Sequence, residues 1–174
     1  MKNKTRLIAI NGIGIALFVA LSLCVQVPVF QNYYLCLGYI IMAIYLYFFG
    51  MVQGGIVGVL GTILYCFLIS GLRGMPGWAL GNIFIAVFLG GAFKFGRKIT
   101  NVVMRYIVYG LGILLGCSTG ILLVKSFVEH VLYAQPMLIR MGSNLYAFVA
   151  DYVVLVIGIP VCKLVEPWMR KCKK

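Results

Sequence analysis

A short segment between two apolar stretches carries side chains that could bind a small molecule. Residues 70–78 read Ser-Gly-Leu-Arg-Gly-Met-Pro-Gly-Trp, in which Arg73 supplies a positive charge and Trp78 a flat ring. Glycine and proline favour turns, so the segment has the composition of a lid. For Trp78 alone, we favour an anchor at the membrane–water interface over stacking on a ligand. Asn82 follows one helical turn after Trp78 and can face the same cavity, and this cluster favours binding.

A carboxylate lies inside one of the apolar stretches. Asp151 is roughly 13 Å from the expected outer end of its helix, which places it near the middle of a membrane. A carboxylate at that depth is costly unless it is paired. Asn144 lies on the same helix face, so the two side chains could line a polar cleft open to the outside. A structural hydrogen bond or ion pair with a neighbouring helix explains Asp151 equally well.

Polar residues also occur in the two other expected outer loops. Asn32 and Tyr34 lie in the first loop, and Lys125 begins the third, over residues 125–141. Amide and phenol groups suit a neutral ligand that forms hydrogen bonds, but they also suit ordinary interface loops. We include these three residues among the candidates for substrate binding.

Catalysis has little support in this sequence. No glycine-rich loop ends in Gly-Lys-Ser or Gly-Lys-Thr, so no nucleotide-binding phosphate loop is predicted. Six cysteines are scattered singly and there is one histidine, so neither a metal site nor a cofactor is expected. We predict no enzyme. Three acids offer a thin basis for proton relay, although Asp151 keeps an autonomous ion-coupled secondary transporter open.

The elements that position these residues must be membrane helices. The chain of 174 residues is 63% hydrophobic and 10% charged, too apolar for a water-soluble domain. In lipid every backbone polar group needs an internal partner, which helices provide. We predict an all-α fold, a single domain over residues 1–174 with six transmembrane helices, although hydropathy alone allows five. The expected spans are 7–27, 35–49, 52–70, 79–95, 103–124 and 142–162.

The distribution of basic residues predicts the orientation. Twelve of the fifteen Lys and Arg residues lie at positions 2–6, 94–105 and 163–174, which share one side of the membrane only if the number of spans is even. The positive-inside rule makes that side cytoplasmic, so both termini are expected in the cytoplasm. Nucleic-acid binding, the other explanation of a net charge of +12, has no soluble domain to carry it.

The three remaining basic residues, Arg73, Lys125 and Arg140, lie in or beside the expected outward-facing loops. Orientation does not explain them there. They are therefore candidates for a function at the outer face.

Small residues recur every four positions on three of the helices. Residues four apart share a helix face, and a stripe of small residues lets another helix approach closely. We favour packing within the bundle for the stripes of helices three and five. On helix one the stripe could equally dock another subunit. The three stripes are Gly12, Ala16 and Ala20; Gly50, Gly54 and Gly58; and Gly112, Gly116 and Gly120.

Several of these features resemble the substrate-binding S components of energy-coupling-factor (ECF) transporters, with a likeness over nearly the whole chain. The resemblance is carried by the basic N-terminus, Ala16-x-x-x-Ala20, the loop after Pro28, and the segments 49–55 and 72–82. It is closest to the riboflavin-type branch, which includes relatives proposed to take up pyridoxine or hydroxymethylpyrimidine.

The resemblance implies a six-helix protein of the bacterial cell membrane that captures a vitamin at its outer face. It also implies a transmembrane coupling protein, or T component, and two cytoplasmic ATPases that hydrolyse ATP. The helix-one stripe would then dock the coupling protein. A nontransporting membrane subunit, whose outer polar cluster is an interface alone, remains a third interpretation beside the secondary transporter.

Overall fold

The computed structural model describes the backbone of residues 2–25, 28–30, 33–69 and 71–171, and the side chains of residues 5–25, 35–69 and 71–169. This part of the chain is a helical bundle, which confirms the all-α prediction. The helices are α1 (Lys2–Cys24), α2 (Gly38–Phe48), α3 (Met51–Leu68), α4 (Met75–Gly96), α5 (Val102–Cys117), a π-helix (Ser118–Lys125), α6 (Ser126–Tyr133) and α7 (Met137–Lys171). A two-stranded antiparallel ribbon, β1 (Pro28–Phe30) and β2 (Tyr33–Tyr34), joins α1 to α2.

Five helical stretches of the described chain are long and apolar enough to cross a membrane, so this is a multi-pass membrane protein. They are Thr5–Cys24, Met51–Leu68, Met75–Gly96, Val102–Tyr133 and Met137–Met169. The remaining apolar helix, Gly38–Phe48, is shorter. At about 1.5 Å per residue it spans only some 16 Å, about half of a bilayer core.

Helix α2 tolerates this length because other helices surround it. It packs against α1, α3 and α7, and its side chains Tyr39, Met42 and Ala43 are completely buried. The short helix is therefore shielded from lipid by its neighbours. By contrast, exposed large apolar side chains are found along every long helix, as expected where lipid is the solvent.

Glycines allow the helices to approach closely. A Cβ placed on Gly81 of α4 would lie 2.5 Å from the carbonyl oxygen of Gly120 on the π-helix, and the reverse substitution would meet Gly81 at the same distance. Gly54 and Gly58 of α3 likewise face side chains of α2. The internal-packing interpretation is therefore confirmed for Gly54 and Gly58 of helix three and for Gly112, Gly116 and Gly120 of helix five.

Gly50 differs from the rest of its stripe. It precedes α3, has a φ of 92°, and no atom lies within 4 Å of where its Cβ would be. The assignment of Gly50 to a packing stripe is therefore wrong. Glycine is favoured at this turn because other residues rarely adopt a positive φ.

The prediction of a third outer loop over residues 125–141 is wrong. Helix α5 continues through the π-helix into α6, and only residues 134–136 separate α6 from α7. Hydropathy marked the end of the apolar run at Lys125, whereas the helix itself continues because its backbone groups remain bonded. Lys125 therefore lies at the end of the π-helix and not in a loop.

We call the end of the bundle that carries Arg97, Lys98 and Arg105 the inner end, since the positive-inside rule predicts that it faces the cytoplasm. The opposite end, where the ribbon, the α3–α4 turn and the α6–α7 turn lie, is called the outer end.

Candidate functional site

A cavity of about 370 Å³ opens at the outer end of the bundle. Its walls come from the end of α3, the α3–α4 turn, the start of α4, the π-helix, α6 and α7. Charged and aromatic side chains dominate its lining. They are Tyr65, Arg73, Trp78, Lys125, Glu129, Arg140 and Asp151.

Four of the eight predicted substrate-binding residues line this cavity, namely Arg73, Trp78, Lys125 and Asp151. They come from three separate stretches of the chain, and the helix packing brings them together. Asn32 lies outside the described residues, as does the side chain of Tyr34, whose backbone belongs to β2.

Asn82 lies behind the cavity wall and does not line it. Its side chain is completely buried. Its amide nitrogen donates to the hydroxyl of Thr62 at 2.7 Å and to the carbonyl oxygen of Gly58 at 3.0 Å. This residue joins α4 to α3 through these two hydrogen bonds.

Trp78 is connected to that buried network. Its indole Nε1 donates to the hydroxyl of Tyr39 at 2.7 Å, and the same hydroxyl donates to Oδ1 of Asn82 at 2.7 Å. The ring also makes an edge-to-face contact with Tyr65, at 5.8 Å between centroids. Because the N–H group points into the protein, the ring itself is the surface that a ligand can contact.

Asn144 also lies outside the cavity lining. It is buried, and its amide nitrogen donates to the hydroxyl of Ser126 at 2.9 Å and to the carboxylate of Glu129 at 3.1 Å. Glu129 in turn forms an ion pair with Arg140, with 2.7 Å between its carboxylate oxygen and a guanidinium nitrogen. Asn144 therefore helps to hold an ion pair that does reach the cavity.

A buried lysine and a buried aspartate also line the cavity. Lys125 and Asp151 are both buried, and the carboxylate lies within electrostatic range of the ammonium group and of the Tyr39 hydroxyl. Since α7 begins at Met137, Asp151 lies about 21 Å along that helix at 1.5 Å per residue. Two buried charges of opposite sign offset part of each other's desolvation penalty.

Arg73 lies at the rim of the cavity. Its guanidinium carbon is 5.5 Å from the centroid of the Tyr133 ring, and the Tyr133 hydroxyl donates to the Arg73 carbonyl oxygen at 2.7 Å. These two contacts join the α3–α4 turn to the end of α6. The lid over residues 70–78 stays a prediction, and its part from Met75 on forms the first turn of α4.

Several functional candidates were missed by reasoning on the sequence. Glu129 lies one helical turn after Lys125, a spacing that indicates a shared face once the loop is recognised as helix. Arg140 stood out only as an unexplained charge. Tyr39 and Thr62 gave no signal, because a tyrosine or threonine in an apolar helix is ordinary.

The helix-one stripe faces away from the bundle. Ala16 and Ala20 are exposed, and no atom lies within 4 Å of a Cβ placed on Gly12. The stripe is therefore not used for packing by the described part of this chain.

Comparison with known proteins places the chain in a family. The model of the family described as "ECF-type riboflavin transporter, S component" matches residues 2–166. Two proteins of Streptococcus thermophilus, from strains ATCC BAA-491 / LMD-9 and CNRZ 1066, are each 27% identical over 164 residues, which is 91% of this chain and 88% of theirs. Both are described only as UPF0397 proteins.

Proposed function

This chain belongs to the family of ECF-type riboflavin transporter S components, and we propose that its outer cavity captures a vitamin or vitamin precursor for ATP-driven uptake by partner subunits. The family supports a vitamin-type substrate-binding subunit. Riboflavin, pyridoxine and a hydroxymethylpyrimidine are the substrates to be distinguished.

The observation that carries this proposal is the combination of a flat ring and opposite charges in one outward-opening cavity. Trp78 offers a ring face, while Lys125 and Asp151 offer a donor and an acceptor beside it. A volume of about 370 Å³ lies within the usual range for small-molecule sites. A planar ring with polar substituents matches this lining, because it can stack and form hydrogen bonds at once.

The energy source would be supplied by other subunits. The sequence has no phosphate-binding loop, and the helix-one stripe leaves a close-approach surface open. We propose that Gly12, Ala16 and Ala20 dock a transmembrane coupling protein, which works with two cytoplasmic ATPases in the bacterial plasma membrane. Both termini of the chain would then lie in the cytoplasm.

Ligand capture is tested on the purified full chain. Mass spectrometry of the molecule released on denaturation identifies a ligand that copurifies, and calorimetry with the three candidate vitamins measures affinity. Arg73→Ala should weaken binding at least several-fold, whereas the matched charge removal Lys98→Ala at the inner end should not. If no candidate vitamin binds and no small molecule is released, vitamin capture is rejected.

Docking is tested by adding bulk to the helix-one stripe. Ala16→Trp and Ala20→Trp should leave vitamin affinity unchanged but abolish uptake and copurification with the coupling protein. Leu111→Trp, on an exposed position of α5, is the matched control and should change neither. Unchanged uptake in the alanine variants would exclude this docking face.

The autonomous secondary transporter remains the alternative, because Asp151 is a buried carboxylate in the cavity. Proteoliposomes that contain only this chain decide between the two. Substrate accumulation under an ion gradient, lost in Asp151→Asn, would establish the alternative in place of ATP-driven uptake.

A further inference from the structure

A second cleft, of about 470 Å³, lies at the inner end of the bundle, far from the outer cavity. It is formed where α2 and α4 end, where α5 begins, and by the last third of α7. Three cationic side chains and one carboxylate line it, which leaves an excess of two positive charges. These side chains are Arg97, Arg105, Lys163 and Glu166.

The cations of this inner cleft are held in place by neighbouring groups. The guanidinium of Arg97 lies 4.8 Å from the centroid of the Tyr47 ring, and Lys163 Nζ lies 5.5 Å from the same centroid. Arg105 donates from Nε and from a terminal nitrogen to the carbonyl oxygen of Ile99, at 3.2 and 2.7 Å. A guanidinium has five N–H donors, so Arg105 keeps others for a ligand.

The Tyr109 hydroxyl is a second, independent observation that points to a ligand. The Tyr109 side chain is completely buried, its ring packs edge-to-face against Phe93 at 4.9 Å, and it lines the inner cleft. Within the described part of the chain, its hydroxyl has no hydrogen-bond partner. The same group is within electrostatic range of Arg97, Arg105 and Lys163.

A buried hydroxyl without a partner destabilises the fold unless something else accepts its hydrogen bond. The other tyrosines that reach the core differ in this respect. The hydroxyls of Tyr39 and Tyr45 donate to Asn82 and to the carbonyl oxygen of Ile10, both at 2.7 Å. Tyr109 is thus a neutral donor set among cations, which is the arrangement expected around an anion.

We propose that the inner cleft binds a phosphate group, a function separate from vitamin capture. Guanidinium, ammonium and phenol groups all donate hydrogen bonds to phosphate oxygens. Basic pockets between helices at the cytoplasmic face suit the head groups of anionic lipids. The exposed apolar side chains of Val102, Val103 and Trp168 lie on the same helix ends as the cleft, where they could contact the acyl chains of such a lipid. A soluble phosphorylated molecule would satisfy the same donors.

The test uses the full chain in detergent. Native mass spectrometry measures retention of phosphatidylglycerol, which has a net negative charge, against phosphatidylcholine, which has none. In parallel, thermal unfolding is followed with inorganic phosphate against chloride at equal ionic strength. We expect one phosphatidylglycerol to be retained preferentially, and its affinity to fall about tenfold in Arg97→Gln/Arg105→Gln. Lys98→Gln, a neighbouring exposed cation outside the cleft, is the control and should bind normally.

Tyr109→Phe separates ligand binding from a structural role. It removes only the hydroxyl, so the lipid-free protein should be no less stable, whereas phosphatidylglycerol affinity should fall about fivefold, as for the loss of one hydrogen bond. A shift of the unfolding temperature by inorganic phosphate, lost in Tyr109→Phe and without lipid preference, assigns the cleft to a soluble phosphate. Equal retention of both lipids together with no response to phosphate overturns the proposal.

Discussion

The indole Nε1 of Trp78 donates a hydrogen bond of 2.7 Å to the hydroxyl of Tyr39. The Tyr39 hydroxyl in turn donates a hydrogen bond to Oδ1 of Asn82. The amide nitrogen of Asn82 donates to the hydroxyl of Thr62 and to a backbone carbonyl oxygen of α3. The orientation of the cavity ring is therefore set by polar side chains on three helices. A ring held in this way is preorganised, so a ligand that stacks on it loses less conformational entropy.

Removing the Tyr39 hydroxyl tests this arrangement. Tyr39→Phe leaves the Asn82 carbonyl oxygen and the Trp78 N–H without partners, so we expect a loss of about 1–3 kcal/mol in stability and weaker vitamin binding. Thermal unfolding and calorimetry measure the two effects. The control is Tyr45→Phe, which removes one hydrogen bond to Ile10 away from the cavity and should leave vitamin affinity unchanged. Unchanged affinity in Tyr39→Phe would show that the network does not position the ring.

Tryptophan fluorescence reports directly on the cavity, because the chain has only two tryptophans. Trp78 lines the cavity, while Trp168 is exposed near the inner end. If the ligand stacks on Trp78, the Trp168→Phe variant should retain ligand-dependent quenching. Trp78→Phe should lose most of it and bind the vitamin more weakly. Quenching that persists in Trp78→Phe would place the ligand elsewhere.

Lys125 and Asp151, two of the three buried charged residues that line the cavity, should depend on each other for stability. Asp151→Asn removes one of the two carboxylates near the buried Lys125, the other being Glu129, and we expect a loss of about 1–3 kcal/mol in stability. Adding Lys125→Met should restore stability but not vitamin binding. Glu166→Gln removes the partner of the half-exposed Lys163 and should cost less than about 1 kcal/mol. A double variant no more stable than Asp151→Asn would mean that the charges do not compensate.

Close contact between α4 and the π-helix should tolerate no added methyl group. Gly81→Ala and Gly120→Ala each push a Cβ against the carbonyl of the opposite helix, so we expect a loss of about 1–3 kcal/mol and less folded protein. Gly110→Ala, where no atom lies within 4 Å of the new Cβ, is the control and should be neutral or slightly stabilising. Size-exclusion chromatography and thermal unfolding measure the outcome. Normal folding of both variants would contradict the close packing.

Composition predicted that the chain is helical, but it did not predict where the helices end. Apolar runs located the helices, since lipid requires internally bonded backbone. The third outer connection was misplaced because α6 continues through residues such as Glu129 and His130, whose polarity indicated a loop. Backbone hydrogen bonding determines where a helix ends, and hydropathy does not measure it.

The sequence by itself determined a multi-pass helical protein. It also indicated Arg73, Trp78, Lys125 and Asp151 as candidates for substrate binding. Only the tertiary structure decided which polar groups reach the cavity. Asn82 and Asn144 have side chains and helical positions that would suit a ligand contact. Both instead form hydrogen bonds to neighbouring helices. Their partners, such as Thr62 and Glu129, are distant in sequence, and periodicity within one helix contains no information about the side chains of another.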